Sequence, residues 1–193
     1  IYSGRKNVLF RLLDRILRKD MYDRLRLTLE ECSAPEIRTV LDVGTGSGRF
    51  CLPLARGKDR IMGIDFSPAM IELATRYARQ MGVADRCEFK VGDFLKMEIP
   101  DPFDAIMAIG LYDYIREPLV FLEKMRKLAR QKIVITFPSL WTWRVIPRWI
   151  RLRLQGCPVY FYTPPQIRSL CEKADLAIRR LERVGKIYFV VAE

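Results

Sequence analysis

The sequence predicts an α/β fold, a mostly parallel sheet with helices on both faces, and three observations carry that prediction. Short apolar or β-rich runs alternate with helix-length segments through the middle of the chain. A loop with glycine at three alternate positions, in VLDVGTGSG, follows the first of those runs. The end of the chain changes rhythm, from a helical stretch to two adjacent strands joined at Gly185, which predicts an antiparallel hairpin at one side of the sheet. At 193 residues, half of them hydrophobic, the chain suits one domain with a substantial core.

Taken in order, Val8, Leu9, Leu12, Leu13, Ile16 and Leu17 recur at helical spacing, and Leu25 and Leu29 extend the pattern after a break near Asp20. Two amphipathic helices are therefore expected ahead of the glycine loop. Strands are expected at 39–43, 60–64, 87–91, 103–109 and 132–137. The clearest helix begins at Ser67 and Pro68, a hydroxyl cap followed by proline at the first helical position, and runs to Met81 before Gly82. Helices are also expected at 117–128 and 164–173, and the terminal strands at 177–184 and 186–192.

The composition excludes several classes. No apolar run approaches the ~20 residues of a membrane span, and the basic opening RKNVLFRLLDRILRK is too densely charged for a signal peptide. The chain opens at Ile1 without methionine, so further N-terminal sequence is an expectation. Cys32, Cys51, Cys87, Cys157 and Cys171 are scattered without a CxxC pair, which argues for reduced thiols and a cytoplasmic setting, not a disulfide framework or a zinc site. Histidine is absent, removing the commonest metal ligand and general base. The net charge of +11 favours an anionic partner, and no acid interrupts the interval between Glu123 and Glu172, which holds Lys124, Arg126, Lys127, Arg130, Lys132, Arg144, Arg148, Arg151, Arg153 and Arg168.

Gly44, Gly46 and Gly48 stand where a strand is expected to pass into a helix, so the bare backbone can turn sharply and let a ligand lie against it, with helix amides directed at that ligand. The spacing is GxGxG, where the dinucleotide fingerprint is GxGxxG. Asp42 would repel a pyrophosphate yet suits a cationic ligand. Asp65 lies 17 residues beyond Gly48, near the spacing at which an acid reads ribose hydroxyls. Asp93, in VGDF, offers a carboxylate to an exocyclic amine beside an aromatic ring. Three acids at three successive strand ends suggest a site for a positively charged adenosine derivative.

With VLDVGTGSG, GIDFSPAMIELA, VGDF and FDAIMAIGLYDYI in these positions, the chain resembles the class I S-adenosylmethionine-dependent methyltransferases, most closely the small-molecule branch of quinone and porphyrin biosynthesis. The resemblance covers residues 39–137 most strongly. It implies a Rossmann-like, seven-stranded sheet with an antiparallel last strand. It also implies S-adenosylmethionine as cofactor and S-adenosylhomocysteine as product. Asp42, Gly44, Thr45, Gly46 and Gly48 would face the methionine part, Asp65 the ribose, Asp93 and Phe94 the adenine, with Phe66 and Met70 lining the adenine pocket; Ile109 is a further cofactor-binding candidate. Many relatives carry a histidine in the segment occupied here by LYDYI, so no histidine base can be borrowed.

Methyl transfer from a sulfonium is an in-line displacement that alignment and desolvation can carry, and a base helps only an acceptor that still holds its proton. Tyr112, Asp113 and Tyr114 are the catalytic candidates, with aromatic packing the competing explanation for the two tyrosines. No metal site is expected, because no carboxylate cluster can be assembled. RNA methylation is disfavoured: the fourth motif lacks the Asn/Asp-Pro-Pro-aromatic run, and no cysteine follows proline in a catalytic setting. A nicotinamide dehydrogenase is disfavoured by the loop spacing and Asp42. A non-catalytic cofactor-binding protein stays open.

The domain divides into an N-terminal helical cap (1–32), a cofactor-binding core (39–138), a basic aromatic insert (139–163), and a closing helix and hairpin (164–193). Within SLWTWRVIPRWIRLRLQGCPVYFYT, Val145, Ile146, Trp149 and Ile150 recur at helical spacing while Arg144, Arg148 and Arg151 take another face. The insert is expected to join the N-terminal helices as a lid, with a core-packing helix bearing a solvated arginine face as the competing reading. Trp143, Arg148, Arg151, Tyr160 and Tyr162 would hold a lipophilic or acidic acceptor, or rest on an anionic membrane surface.

Overall fold

The computed structural model describes residues 19–139 and 159–193. The first expected helix, at 8–17, lies outside the described residues, as does most of the basic insert. Strand β1 (Thr39–Val43), β2 (Arg60–Asp65), β3 (Cys87–Val91), β4 (Phe103–Ala108) and β5 (Ala129–Pro138) alternate with α1 (Lys19–Cys32), α2 (Pro68–Gln80) and α3 (Pro118–Leu128). Helix α4 (Pro164–Lys173) precedes β6 (Ile178–Val184) and β7 (Ile187–Ala192).

The seven strands form one sheet in the order β3-β2-β1-β4-β5-β7-β6. β1 to β5 pair in parallel, and β7 enters antiparallel between β5 and β6. The chain leaves β1 toward β2 on one side and later returns to β4 on the other. The crevice at the carboxyl ends of β1 and β4 is therefore the physically expected ligand site. Alternation along each strand splits the core into two layers. Leu41, Val43, Met62, Ile64, Ile106 and Ile135 meet Phe121, Leu122 and Met125 of α3 and Ile167 and Cys171 of α4. Val40, Ile61, Met107 and Val134 meet Leu27 and Cys32 of α1, Ala78 of α2, and Leu52 and Leu54.

Local chemistry sets most boundaries where expected. Ser67 caps α2 by accepting from the Met70 amide at 3.4 Å, Pro68 occupies its first turn, and Gly82 (φ +67°) follows its end. Thr163 and Gln166 form a reciprocal capping box on α4. Two expectations are corrected. β5 starts three residues early, at Ala129, because polar Arg130 and Gln131 hide its start from a hydrophobicity reading although the strand pairs Phe103 with Ala129. The glycine loop leads into turns and a 3₁₀ helix at Leu52–Gly57, not an α-helix. Pro53 lies in its first turn and Gly57 at its end, and so short a helix carries only a small dipole.

Candidate active site

The glycine loop closes over the carboxyl end of β1. Its amides at Gly44 and Thr45 donate to the Ile64 carbonyl at 2.8 and 3.0 Å, fixing it against β2. Gly44, Gly46 and Gly48 all have φ between +54° and +77°, which β-carbons disfavour. Gly48 is also packed tight, since a β-carbon there would come within 2.8 Å of Leu52. At Gly46 such an atom would meet nothing within 4 Å, so this stretch of backbone presents an open face.

Asp65, half-buried at the end of β2, joins this loop to the next helix. Its two oxygens accept from the Gly46 amide at 2.8 Å and the Ser67 amide at 2.9 Å. A carboxylate has about four acceptor positions, so an oriented acid with spare capacity stands beside the open glycine. Its carbonyl accepts from the Gly92 amide at 3.0 Å, bringing the post-β3 turn alongside. In that turn Asp93 accepts from the Leu95 amide at 2.9 Å. Phe66 and Met70 lie next to Asp65 and are 68% and 39% exposed, a large apolar area at the same rim.

Asp42 sits deeper than expected. Only 1% exposed, it accepts from the Thr45 hydroxyl at 2.8 Å beneath the loop, with the Cys51 thiol on the other side of that hydroxyl. Burial pushes its carboxyl up to about 6, against the hydrogen bonds from Thr45 and Cys51 and with the charge of Asp65 adding to the rise. Asp42 and Thr45, both expected to face the methionine part of the cofactor, are thus found with their side chains bonded to each other. Both side chains shape the loop from below.

Other expected residues are relocated by packing. Phe94, expected beside the adenine, is buried against Phe121 with ring centroids 4.8 Å apart, whereas Phe66 is exposed at the rim. Ile109 belongs to the core layer under α1. Tyr112 is fully buried among Phe121, Phe137 and Tyr162, its hydroxyl 3.8 Å from the Met125 sulfur. Burial drives its phenol well above its ordinary value, which keeps the hydroxyl protonated and away from solvent. Tyr162, expected to touch an acceptor, belongs to the same aromatic cluster, and burial pushes it up to about 12.

Asp113 is half-buried, Tyr114 is 43% exposed, and the Tyr160 amide donates to the Asp113 carbonyl at 2.9 Å. That bond brings the chain leaving the insert back to the loop after β4. Trp143, Arg148 and Arg151 lie outside the described residues. Sequence reasoning missed Leu111, whose side chain lies within 3.0 Å of where a Gly44 β-carbon would be, and Arg24 of α1, which approaches Gly110. Gly110, with φ +77°, was the available signal for a turn at that rim. A separate pocket of about 390 Å³ lies near the start of β5, away from this crevice, and its Arg126, Arg130 and Lys132 already face Asp175, Asp104 and Glu31.

A mostly parallel sheet with this strand order, an open GxGxG loop and acids at the ends of β1, β2 and β3 defines a class I, S-adenosylmethionine-dependent methyltransferase domain. The chain belongs to that family: a sequence model of the methyltransferase domain matches residues 37–175. It is 34% identical over 104 residues to ajmaline N-methyltransferase of Rauvolfia serpentina, covering 53% of this chain and 36% of that protein. It is 30% identical to demethylmenaquinone methyltransferase of Deinococcus radiodurans, covering 79% and 69% respectively. Across six curated relatives the chain spans from 19% to 69% of their length, and about half or less in five of them. The fold is similar to that of magnesium protoporphyrin IX methyltransferase from Synechocystis PCC 6803 with S-adenosylhomocysteine bound. The TM-score is 0.74 at 18% identity, covering 98% of this chain and 89% of that one.

Proposed function

We propose that this protein transfers the methyl group of S-adenosylmethionine to oxygen or nitrogen of a small, lipophilic or acidic acceptor. The observation that carries the reading is the group formed by Gly46, Asp65 and Asp93 at adjacent strand ends, with exposed Phe66 and Met70 beside it. In this reading Asp65 accepts from the ribose hydroxyls, Asp93 from the adenine amine, Phe66 and Met70 cover the adenine ring, and the methionine part lies along Gly44 to Gly48. The cofactor supplies an activated methyl. The chain supplies alignment and exclusion of water. Burial of Tyr112 leaves Asp113, Tyr114 and Tyr160 as the groups available at the acceptor side. An acceptor that needs no deprotonation suits such a site best.

Relatives named for ubiquinone biosynthesis and demethylmenaquinone methylation support a lipophilic acceptor. We extend the proposal to a cytoplasmic protein that works against the inner face of a membrane, with Arg148 and Arg151 meeting anionic lipid or an acidic acceptor. Two measurements test these assignments. Removing Asp65 forfeits charge-assisted hydrogen bonds to the ribose, so calorimetry on Asp65→Ala should show S-adenosylhomocysteine affinity down by at least about tenfold; unchanged affinity would overturn the site. The Arg148→Glu/Arg151→Glu double variant should sediment less with anionic liposomes or show a raised acceptor KM while donor affinity stays intact. If neither moves, the arginines have no part in acceptor or lipid recognition.

A further inference from the structure

We infer that Lys124 of α3 is a positioning residue for adenine recognition, acting through the turn that carries Asp93; the inference rests on the cofactor reading above. Its ammonium donates to the carbonyls of Leu95 and Met97 at 3.1 and 2.6 Å. It also stands 5.1 Å from the centroid of the Phe94 ring. One turn earlier on the same helix, Phe121 packs against that ring. Helix α3 therefore holds the turn by a charge-assisted pair of hydrogen bonds and by an aromatic contact.

The turn itself is tightly closed. The Asp93 carbonyl accepts from the Lys96 and Met97 amides at 3.0 and 2.9 Å, and its carboxylate caps Leu95. A β-carbon on Gly92 would come within 2.5 Å of the Met97 methyl, so the turn closes over a bare backbone. The Gly92 amide then ties the entry of the turn to Asp65. Asp93 thus hangs between two fixed points, the end of β2 on one side and Lys124 on the other. Lys124 bonds the turn from its α3 side, through carbonyls and not through Asp93 itself. Its effect on a ligand is to fix where the Asp93 carboxylate points.

A carboxylate at that position accepts from the 6-amino group of adenine and repels the 6-oxo group of hypoxanthine. Affinities for S-adenosylhomocysteine and S-inosylhomocysteine should be measured by calorimetry for the wild type, Lys124→Met, Lys124→Gln and Lys124→Arg, with urea unfolding midpoints alongside. The adenine preference should shrink by about fivefold or more in Lys124→Met, partly in Lys124→Gln, and return in Lys124→Arg, because one or two charge-assisted bonds hold the turn. A preference unchanged in folded Lys124→Met or Lys124→Gln, even with both affinities or the midpoint lowered equally, overturns the positioning role. If the wild type binds neither ligand, the cofactor reading itself falls and this inference with it. Wild-type binding with an unaltered ratio in the variants refutes only Lys124.

Discussion

Tyr112 follows the end of β4, yet its ring fills the space between Phe121 and Phe137 and is sealed from solvent. Among the described residues its hydroxyl bonds only the Met125 sulfur at 3.8 Å, a weak acceptor. Tyr112→Phe should therefore retain wild-type turnover and lose less than about 1 kcal/mol of stability, measured by steady-state assay and urea titration. A drop of turnover beyond about tenfold would restore the hydroxyl to the chemistry. Phe94 and Phe66 make the same point in reverse. Two phenylalanines each stand beside an acid at a strand end, but only Phe66 faces outward, because β3 turns Phe94 down onto α3.

Among the elements, α1 is fastened by a polar anchor as well as by Leu27 and Cys32. Glu31 receives Lys132 on one oxygen and Arg180 on the other, both at 3.0 Å, linking the helix to β5 and β6 across a long sequence separation. The carboxylate is 18% exposed and its partners 19% and 31%, so the network is shielded from most solvent screening. Glu31→Ala should cost about 1 to 3 kcal/mol, since it removes a carboxylate shared by two partly buried cations, leaving Arg180 with Glu182 and Lys132 with the backbone carbonyl of residue 31, as read from a chemical unfolding midpoint. If Glu31→Ala unfolds with the wild-type midpoint, the pairs add nothing net and α1 is held by its apolar face alone. Because α1 also carries Arg24 near Gly110, loosening it should be felt at the rim of the crevice.

For the whole molecule, two buried acids give pH dependences of opposite sign. Asp42 has its carboxyl raised by burial to about 6, so the folded state holds a proton that the unfolded chain has released. Its stabilisation is complete below about pH 4 and disappears as pH rises through 6, an effect on the order of 3 kcal/mol. Asp104 runs the other way. Burial opposes its ionisation, but the Thr39 and Arg38 amides and the Thr39 hydroxyl outweigh it and hold the carboxyl below its usual range, with Arg130 nearby. Its stabilisation is present above the ordinary carboxylate pKa and lost as pH falls through the depressed folded value. Asp42→Asn should gain stability relative to wild type at pH 7 and not at pH 4, whereas Asp104→Asn should lose at pH 7 and converge on wild type in acid. Urea titrations across pH 3 to 8 check both, and parallel profiles for wild type and Asp42→Asn would contradict the raised carboxyl.

What the sequence determined by itself was everything written in short-range patterns. Alternation of apolar runs, the Ser67-Pro68 cap, the GxGxG spacing and the hairpin at Gly185 depend on neighbours a few residues apart, and each appears where those neighbours dictate. The three acids were legible for the same reason, because strand ends in a parallel sheet share one edge. Which of them faces the crevice was not legible. Asp42 shares its strand face with Val40 and goes under the loop, whereas Asp65 meets the Gly46 amide and stays at the rim. Only the tertiary structure decided that, and with it the burial of Tyr112, Phe94 and Tyr162 and the reach of Lys124 to the Asp93 turn. Such assignments depend on contacts between segments tens of residues apart, where the direction of a side chain is set by the packing of both partners and not by the local chain.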